Sequence, residues 1–356
     1  MPVTLAQAQL NQLPDIDWTV IDTLRRSSWV LDQMVWDDTV TPGTGGGSLT
    51  YGYTRLLAAS TAAFRRFNEE YPANQATRER KSVELHPLGG AFSVDRTLGS
   101  LGNAATNEIM FQMSQKLTSM RTRFQQELIT GDTAVDDAGF DGLDKSLTGQ
   151  STEYLPINEG TATGYLDWTS SNISTEDKAM SAFDPLDDFL SRILASQTGS
   201  GDGGSTATGS LPPGVKALIG NTKSIARVQS LARRASQFTS TRDDLGRQIK
   251  MYGDWVLVDM GDRADGSAPI IPIRSADTDG GGAGGIITGL TDLYAVSFGL
   301  DAMHGASVAG KPIVQTWLPD FSQSGAVKSG EVEMGPVAMV LRNTRTCGVL
   351  RNIKVV

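Results

Sequence analysis

Two histidines and one cysteine are the only side chains of those types in the 356-residue chain. His86 stands next to Pro87 and His304 next to Gly305, far from each other and from Cys347. They cannot complete a tetrahedral zinc set without carboxylates. The sequence has no H-E-x-x-H or C-x-x-C pair, no G-x-x-x-x-G-K-[ST] phosphate loop and no G-x-S-x-G nucleophile turn. Gly280 to Gly285 matches G-x-G-x-x-G. It follows Thr278-Asp279 instead of a strand and leads into Ile286-Ile287 instead of a helix, so a glycine tract explains the match. The pairs Asp37-Asp38, Asp136-Asp137, Asp187-Asp188 and Asp243-Asp244 are adjacent in sequence. Neighbouring side chains diverge on a helix or strand, so these pairs read as caps and solvated turns. Arg227, Arg233 and Arg234 lie on a basic helical stretch that reads as a solvated face or as inter-subunit ion pairs. We assign no catalytic, metal-binding or cofactor-binding residue and read the chain as a non-enzyme.

Composition points the same way. The formal net charge is −9 and the apolar content 39%, with 39 glycines. An acidic chain does not fit a protein that grips nucleic acid by neutralising phosphates. A single cysteine leaves no intrachain disulfide framework, which fits synthesis in a reducing compartment. Residues 1 to 12 show no signal-peptide pattern, and no apolar run approaches the ~20 residues that span a bilayer.

The strongest periodicity lies between Leu101 and Ile129. Ile109, Met113, Leu117, Met120, Phe124 and Leu128 fall in steps of four and three, one stripe of an α-helix. Gln112, Lys116, Thr118, Arg121, Gln125 and Gln126 belong to its polar side. Asn103 or Thr106 can cap the start, and Gly131 sits where a stop belongs. We read this helix as a spine.

Before it, residues 1 to 40 read as an arm with a short helix, and Thr41 to Ser48 as a flexible break. Trp29 and Trp36 need a surface to cover them, either the chain's own body or a neighbouring subunit. Residues 49 to 98 read as a long two-stranded excursion, with Leu49, Tyr51 and Tyr53 alternating on the way out and Val83 and Leu85 on the way back. Its tip carries Phe64, Arg65, Arg66, Phe67, Glu69, Glu70 and Tyr71, then Arg78 and Arg80. It has too little apolar material for its own core, so mixed charge at its tip suits a polar contact on a partner.

After the spine come a turn-rich pivot at Gly139–Leu143 and a helix from Asp184, with Asp184 as cap and Pro185 at its first position. Thr198 to Gly214 reads as a low-complexity loop. A strand at Ala217–Ile219 precedes an amphipathic helix, Lys223–Phe238. Then follow a hairpin around Tyr252–Asp254, a strand at Ile270–Ile273, a glycine-rich loop at Ser275–Gly285, a strand at Leu293–Phe298 and closing strands from Val332. Helices and strands alternate without a βαβ period, which makes the chain α+β, or mixed α/β.

An arm, a charged hairpin, a spine helix and a mixed body together resemble the major capsid proteins of tailed double-stranded-DNA phages. Their Hong Kong 97-type fold is shared with encapsulins. The resemblance rests on Leu128-Ile-Thr-Gly-Asp-Thr-Ala134 followed by Gly139-Phe-Asp-Gly-Leu143. It rests also on Asp244-Leu-Gly-Arg-Gln-Ile-Lys250 before Tyr252-Gly-Asp-Trp-Val-Leu-Val258, on Leu293-Tyr-Ala-Val-Ser-Phe-Gly299 with Gly305, and on Leu341-Arg-Asn343 and Leu350. It implies an N-terminal arm at 1–47 and an extended loop at 48–98. The spine and first part of a peripheral domain would span 99–138, an axial domain 139–304, and the second part of the peripheral domain 305–356.

The function implied is self-assembly into an icosahedral shell around a double-stranded DNA genome. Pentamers and hexamers of one chain would form the shell, without sequence-specific DNA contacts. A portal protein, and a separate scaffold or decoration protein, would be the other partners. The location implied is the virion after synthesis in the host cytoplasm, with no membrane involved. Trp29, Trp36, Phe64, Arg65, Arg66, Phe67, Glu69, Glu70, Arg78 and Arg80 are the candidate inter-subunit residues. Some members of that family cross-link an extended-loop lysine to an asparagine of the peripheral domain; Lys81 with Asn343 or Asn352 are the nominal equivalents. An encapsulin-type compartment, an oligomeric enzyme and a tail or adhesin protein are the alternatives.

Overall fold

The computed structural model describes residues 29–41, 48–99, 103–161, 163–193, 214–234, 239–242, 248–278, 285–322 and 324–356. Leu101, the break at 42–47, most of the Thr198–Gly214 loop, Phe238, Asp243-Asp244 and the glycines at 280–284 lie outside them.

The spine, α3 (Asn103–Thr130), has 28 residues and so runs about 42 Å. Among the described residues two short helices precede it, α1 (Trp29–Gln33) and α2 (Arg96–Gly99). Met120, Phe124 and Leu128 are buried as the stripe requires. Gln125 departs from expectation. It is fully buried beside Thr122 and Ile129, and neither carboxamide atom finds a partner. The buried surface therefore wraps further round this end of the helix than one stripe. Gly131 ends the helix, its N–H still bonded to Glu127 O at 2.8 Å. A Cβ there would meet Phe140 O at 2.2 Å, so the pivot's close return over the helix end requires glycine.

A five-stranded sheet packs under the spine. Its order is β1 (Trp36–Val40), β13 (Met303–Val308), β15 (Val327–Leu341), β14 (Val314–Trp317), and β4 (His86–Asp95) also pairs with β15. The two-stranded excursion therefore stops sooner than its alternation implies. Only β2 (Thr50–Ala58) and β3 (Thr77–Glu84) pair as a hairpin, while residues 86 to 95 lie antiparallel on β15. Phe92 and Val94 are buried there, and that burial outcompetes continuation of a free ribbon.

The second sheet has nine strands in the order β5 (Glu153–Tyr154), β16 (Cys347–Lys354), β12 (Ile286–Ser297), β7 (Lys216–Gly220), β10 (Trp255–Asp259), β9 (Gln248–Tyr252), β8 (Thr239–Arg242). β6 (Leu166–Asp167) adds to β16 and β11 (Arg274–Asp277) to β12. Helices α5 (Glu176–Ser191) and α6 (Thr222–Arg234) cover it, with Phe183, Phe189, Val228 and Leu231 in a second core. α5 corrects the expected start at Asp184. Thr175 is the cap, its hydroxyl accepting from Lys178 N at 3.4 Å, and Pro185 lies inside the helix. Cap plus Glu176 and Asp177 in the first turn outweigh the one backbone bond that proline removes. Ile270 and Ile271 are buried but not in a strand; the strand is β11, four residues later, inside the expected glycine-rich loop. β16 also departs from the layout, because residues 347 to 354 belong to this sheet and not to the one under the spine.

A charge network stitches the second sheet to the short helix that follows the pivot. The carboxylates are Asp144 on α4 (Leu143–Leu147), Glu153 on β5 and Asp292 on β12, and they surround Arg351 of β16. Glu153 Oε1 lies 2.9 Å from Arg351 Nε, and Arg274 donates to Asp292 Oδ1 at 2.9 Å. Burial works against the Arg351 charge, but Asp292 and Asp144 outweigh it and hold its pKa above the usual arginine range. Arg351→Met strands buried carboxylates, so we expect a loss of about 3 kcal/mol or more in urea unfolding. An unchanged midpoint would show that the network carries no stability.

Candidate inter-subunit surface

The hairpin is fixed at its base and free at its tip. Tyr53 OH donates to Leu341 O at 3.0 Å, and Arg55 donates to Leu341 O at 2.9 Å and to Arg342 O at 3.1 Å, clamping β2 to the end of β15. Tyr51 is buried and donates to Asp37 Oδ2 at 2.9 Å, which ties the hairpin to the arm strand β1. His304 of β13 completes the cluster, with Nε2 3.3 Å from Tyr51 OH and Nδ1 unpartnered. The phenol hydrogen is committed to Asp37, so the phenol oxygen is the acceptor for an Nε2–H. Burial pushes Tyr51 up to about 12, helped by Asp37.

Burial likewise drives His304 down to about 4, against the pull of Asp37. The unfolded chain therefore binds a proton between pH ~6.5 and ~4 that the folded chain refuses. Stability contributed at neutral pH is lost as pH falls through that window, up to about 3 kcal/mol. His304→Gln should flatten the slope of unfolding free energy over that window relative to the parent chain. Parallel slopes would refute the assignment.

Beyond Ala58 the hairpin leaves the body. Residues 59 to 76 form no strand and are all exposed. Phe64 is 107% and Phe67 97% exposed, so neither ring touches its own chain to any extent. Leu56, Leu57 and Tyr71 are exposed as well. Asn68 at φ +68° turns the chain between Arg66 and Glu69, which puts Phe64–Arg66 on one limb and Glu69–Tyr71 on the other. Arg65 lies over the Tyr71 ring at 5.3 Å, whereas Arg66, Glu69, Glu70, Arg78 and Arg80 make no ion pair among the described residues. Large apolar groups held in water over so long a segment make the tip the candidate interaction surface.

Trp29 and Trp36 stand apart from the other eight candidates. Trp29 meets Phe298 edge-on at 6.2 Å and Trp36 meets Phe124 at 5.8 Å. The Trp36 ring fills the space over Gly305, where a Cβ would lie 2.6 Å from it. These tryptophans dock the arm on the chain's own body, because β1 pairs parallel with β13 and brings them over the core. Of the basic helix, Arg227 donates to Val355 O at 3.1 Å, an internal tether. Lys81 pairs with Glu79 at 2.7 Å, Asn343 accepts from Arg345 N at 3.0 Å, and Asn352 receives Arg274 at 3.0 Å.

The hairpin clamped at its base, the arm strand laid on β13 and two sheets on two cores define the architecture. No protein-family model matches the chain, and no curated protein does. Solved structures do. An encapsulin, in the holo-SrpI complex from Synechococcus elongatus PCC 7942, superposes with a TM-score of 0.62 at 13% identity, covering 100% of this chain and 97% of that one. The capsid of a native GTA particle gives 0.56 at 12% identity, over 98% and 97%. The capsid of Myoviridae phage XM1 gives 0.51 at 13% identity, over 99% and 99%. The chain therefore has the Hong Kong 97-type fold, α+β.

Proposed function

We propose that this chain is a major capsid protein that assembles into an icosahedral shell around double-stranded DNA. The observation that carries the reading is the hairpin tip, with two phenylalanines fully in water on a fold otherwise packed around two cores. A tip of that kind is completed by a neighbour, and contacts repeated from subunit to subunit close into rings and shells. Interfaces of this sort fall in the permanent class, above about 2,000 Å². The net charge of −9 suits a container, since a strongly basic wall would trap DNA by its phosphates.

In this reading the chain is structural and not catalytic, and it resides in the virion after synthesis in the host. Pentamers and hexamers form the lattice, and a portal, with a scaffold or decoration protein, completes the particle. The arm is residues 1–47 and the extended loop begins at 48. The spine belongs to the peripheral domain, and most of 139–304 forms the axial domain. The encapsulin superposition over the full chain supports a second reading, a compartment that encloses protein instead of a genome.

Negative-stain microscopy of the purified protein tests the class, with closed shells as the expected result. A sample that stays monomeric at high concentration refutes it. Expression with its natural genome separates the two readings: nuclease-protected DNA inside the shell supports the capsid, and an enclosed protein without DNA supports the compartment.

A further inference from the structure

Behind the pivot lies a cavity of about 220 Å³. Phe124 of the spine, Phe140 of the pivot, Leu88 of β4 and Val337 of β15 give it apolar walls, and the two rings stand 5.3 Å apart by centroids. Its charged and polar lining is His86, Arg123, Glu127 and Asp136. A second cleft of about 560 Å³ adjoins it and shares His86, Gly139 and Phe140 as lining. The larger of the two lies inside the range of about 300–1,000 Å³ typical of small-ligand sites.

Glu127 sets the chemistry of the smaller cavity. It is 9% exposed, so a charged group has been taken out of water. Arg123 Nη2 stands 3.1 Å from Glu127 Oε2 and 3.4 Å from Asp136 Oδ2, so one guanidinium serves two carboxylates. Glu127 Oε1 receives no hydrogen bond among the described residues. It packs over Gly139, where a Cβ would lie 2.3 Å from it. Burial pushes the Glu127 pKa up, Arg123 draws it back, and Asp136 pushes it up again. A buried carboxylate in this position is costly until a further cation meets it.

The unspent charge of the adjoining cleft has the same sign. Its cations are committed, Arg55 to the carbonyls of Leu341 and Arg342 and Lys81 to Glu79. Asp137 makes no ion pair, and the His86 ring no hydrogen bond, among the described residues. Nor do those residues include a cluster of three or more His, Cys, Asp and Glu that could hold a metal ion. An organic cation fits the lining better, since aromatic faces attract an ammonium and aliphatic walls cover a methylene stem.

We propose that these two adjoining cavities bind a linear polyamine. One ammonium lies against Glu127 Oε1 beside the Phe124 and Phe140 rings. The methylene stem runs past His86, and a second ammonium meets Asp137. The site goes beyond the shell reading and stands or falls separately from it.

Calorimetry with spermidine on the full chain is the test. One molecule should bind per chain, and Glu127→Gln should weaken binding about tenfold or more, the worth of a hydrogen bond to a charged group. Asp136→Asn, at the exposed rim, should weaken it about two- to fivefold. Glu331→Gln removes the same charge from an exposed strand position elsewhere and should bind like the parent chain. Magnesium ion at equal concentration should not displace spermidine, because the apolar walls offer it nothing. A parent chain that shows no one-to-one binding overturns the proposal. So does parent-like affinity in Glu127→Gln, displacement by magnesium, or an equal loss in Glu331→Gln, which would mean that spermidine answers to net charge alone. Should Glu127→Gln fail to fold, unchanged affinity in Asp136→Asn overturns it. Closed shells in microscopy of the unaltered chain would stand under every one of these outcomes.

Discussion

Deleting Ala58–Arg80 and closing the shortened hairpin with Asn-Gly should leave a soluble, folded subunit that builds no normal shells. The base of the hairpin, Thr50–Tyr53 against Lys81–Glu84, keeps its pairing and the Tyr51 and Tyr53 anchors. The removed side chains contribute to neither core, since the tip is exposed throughout. Exposed positions of this kind shift stability by about 1 kcal/mol or less. Assembly loses the whole apolar tip, so the effect on particles is all-or-none. Melting temperature and negative-stain microscopy on one preparation separate the two. Parent-like particles from the deleted chain would sink the assignment of the tip to inter-subunit contact.

Phe124→Asp should abolish soluble expression. Phe124 is fully buried, 5.8 Å from Trp36 and 5.3 Å from Phe140 by ring centroids, where arm, spine and pivot meet. Loss of a buried phenylalanine costs about 3–5 kcal/mol, and an unpaired carboxylate in its place adds several more. Together these approach the ~5–15 kcal/mol that holds an ordinary domain folded. Arg121→Asp is the control: it lies one turn away on the exposed side of the same helix and should remain soluble. Equal yields from the two would mean the spine's buried face is misassigned.

The spine was legible because one long helix writes its burial into a 3.6-residue period, and local spacing alone suffices to read it. The β2–β3 hairpin was legible for the same local reason. Partner choice between distant strands was not. β4 joins β15 across more than two hundred positions, and nothing in Gly89-Gly90-Ala91 names that partner. β16 joins the second sheet through Arg351 and its carboxylates, again set by tertiary packing. Pro185 misled because proline at a first helical turn is common, while the stronger cap signal lay at Thr175. The tip residues Phe64 to Glu70 stood out by composition. The docking of Trp29 and Trp36 on their own body depended on a parallel β1–β13 pairing that leaves no local trace.

The position of β16 has a kinetic consequence. It is held on one flank by β12 and on the other by β5 and β6, and its Arg351 reaches Glu153 across 198 positions. Contacts so remote in the chain form late, after shorter-range structure has set. In the proposed shell, assembly-competent subunits would then be supplied at a pace set inside each molecule and not by collisions between them. In refolding, recovery of helical signal should precede burial of Tyr294, a neighbour of Arg351's network; simultaneous recovery would show that no such delay exists.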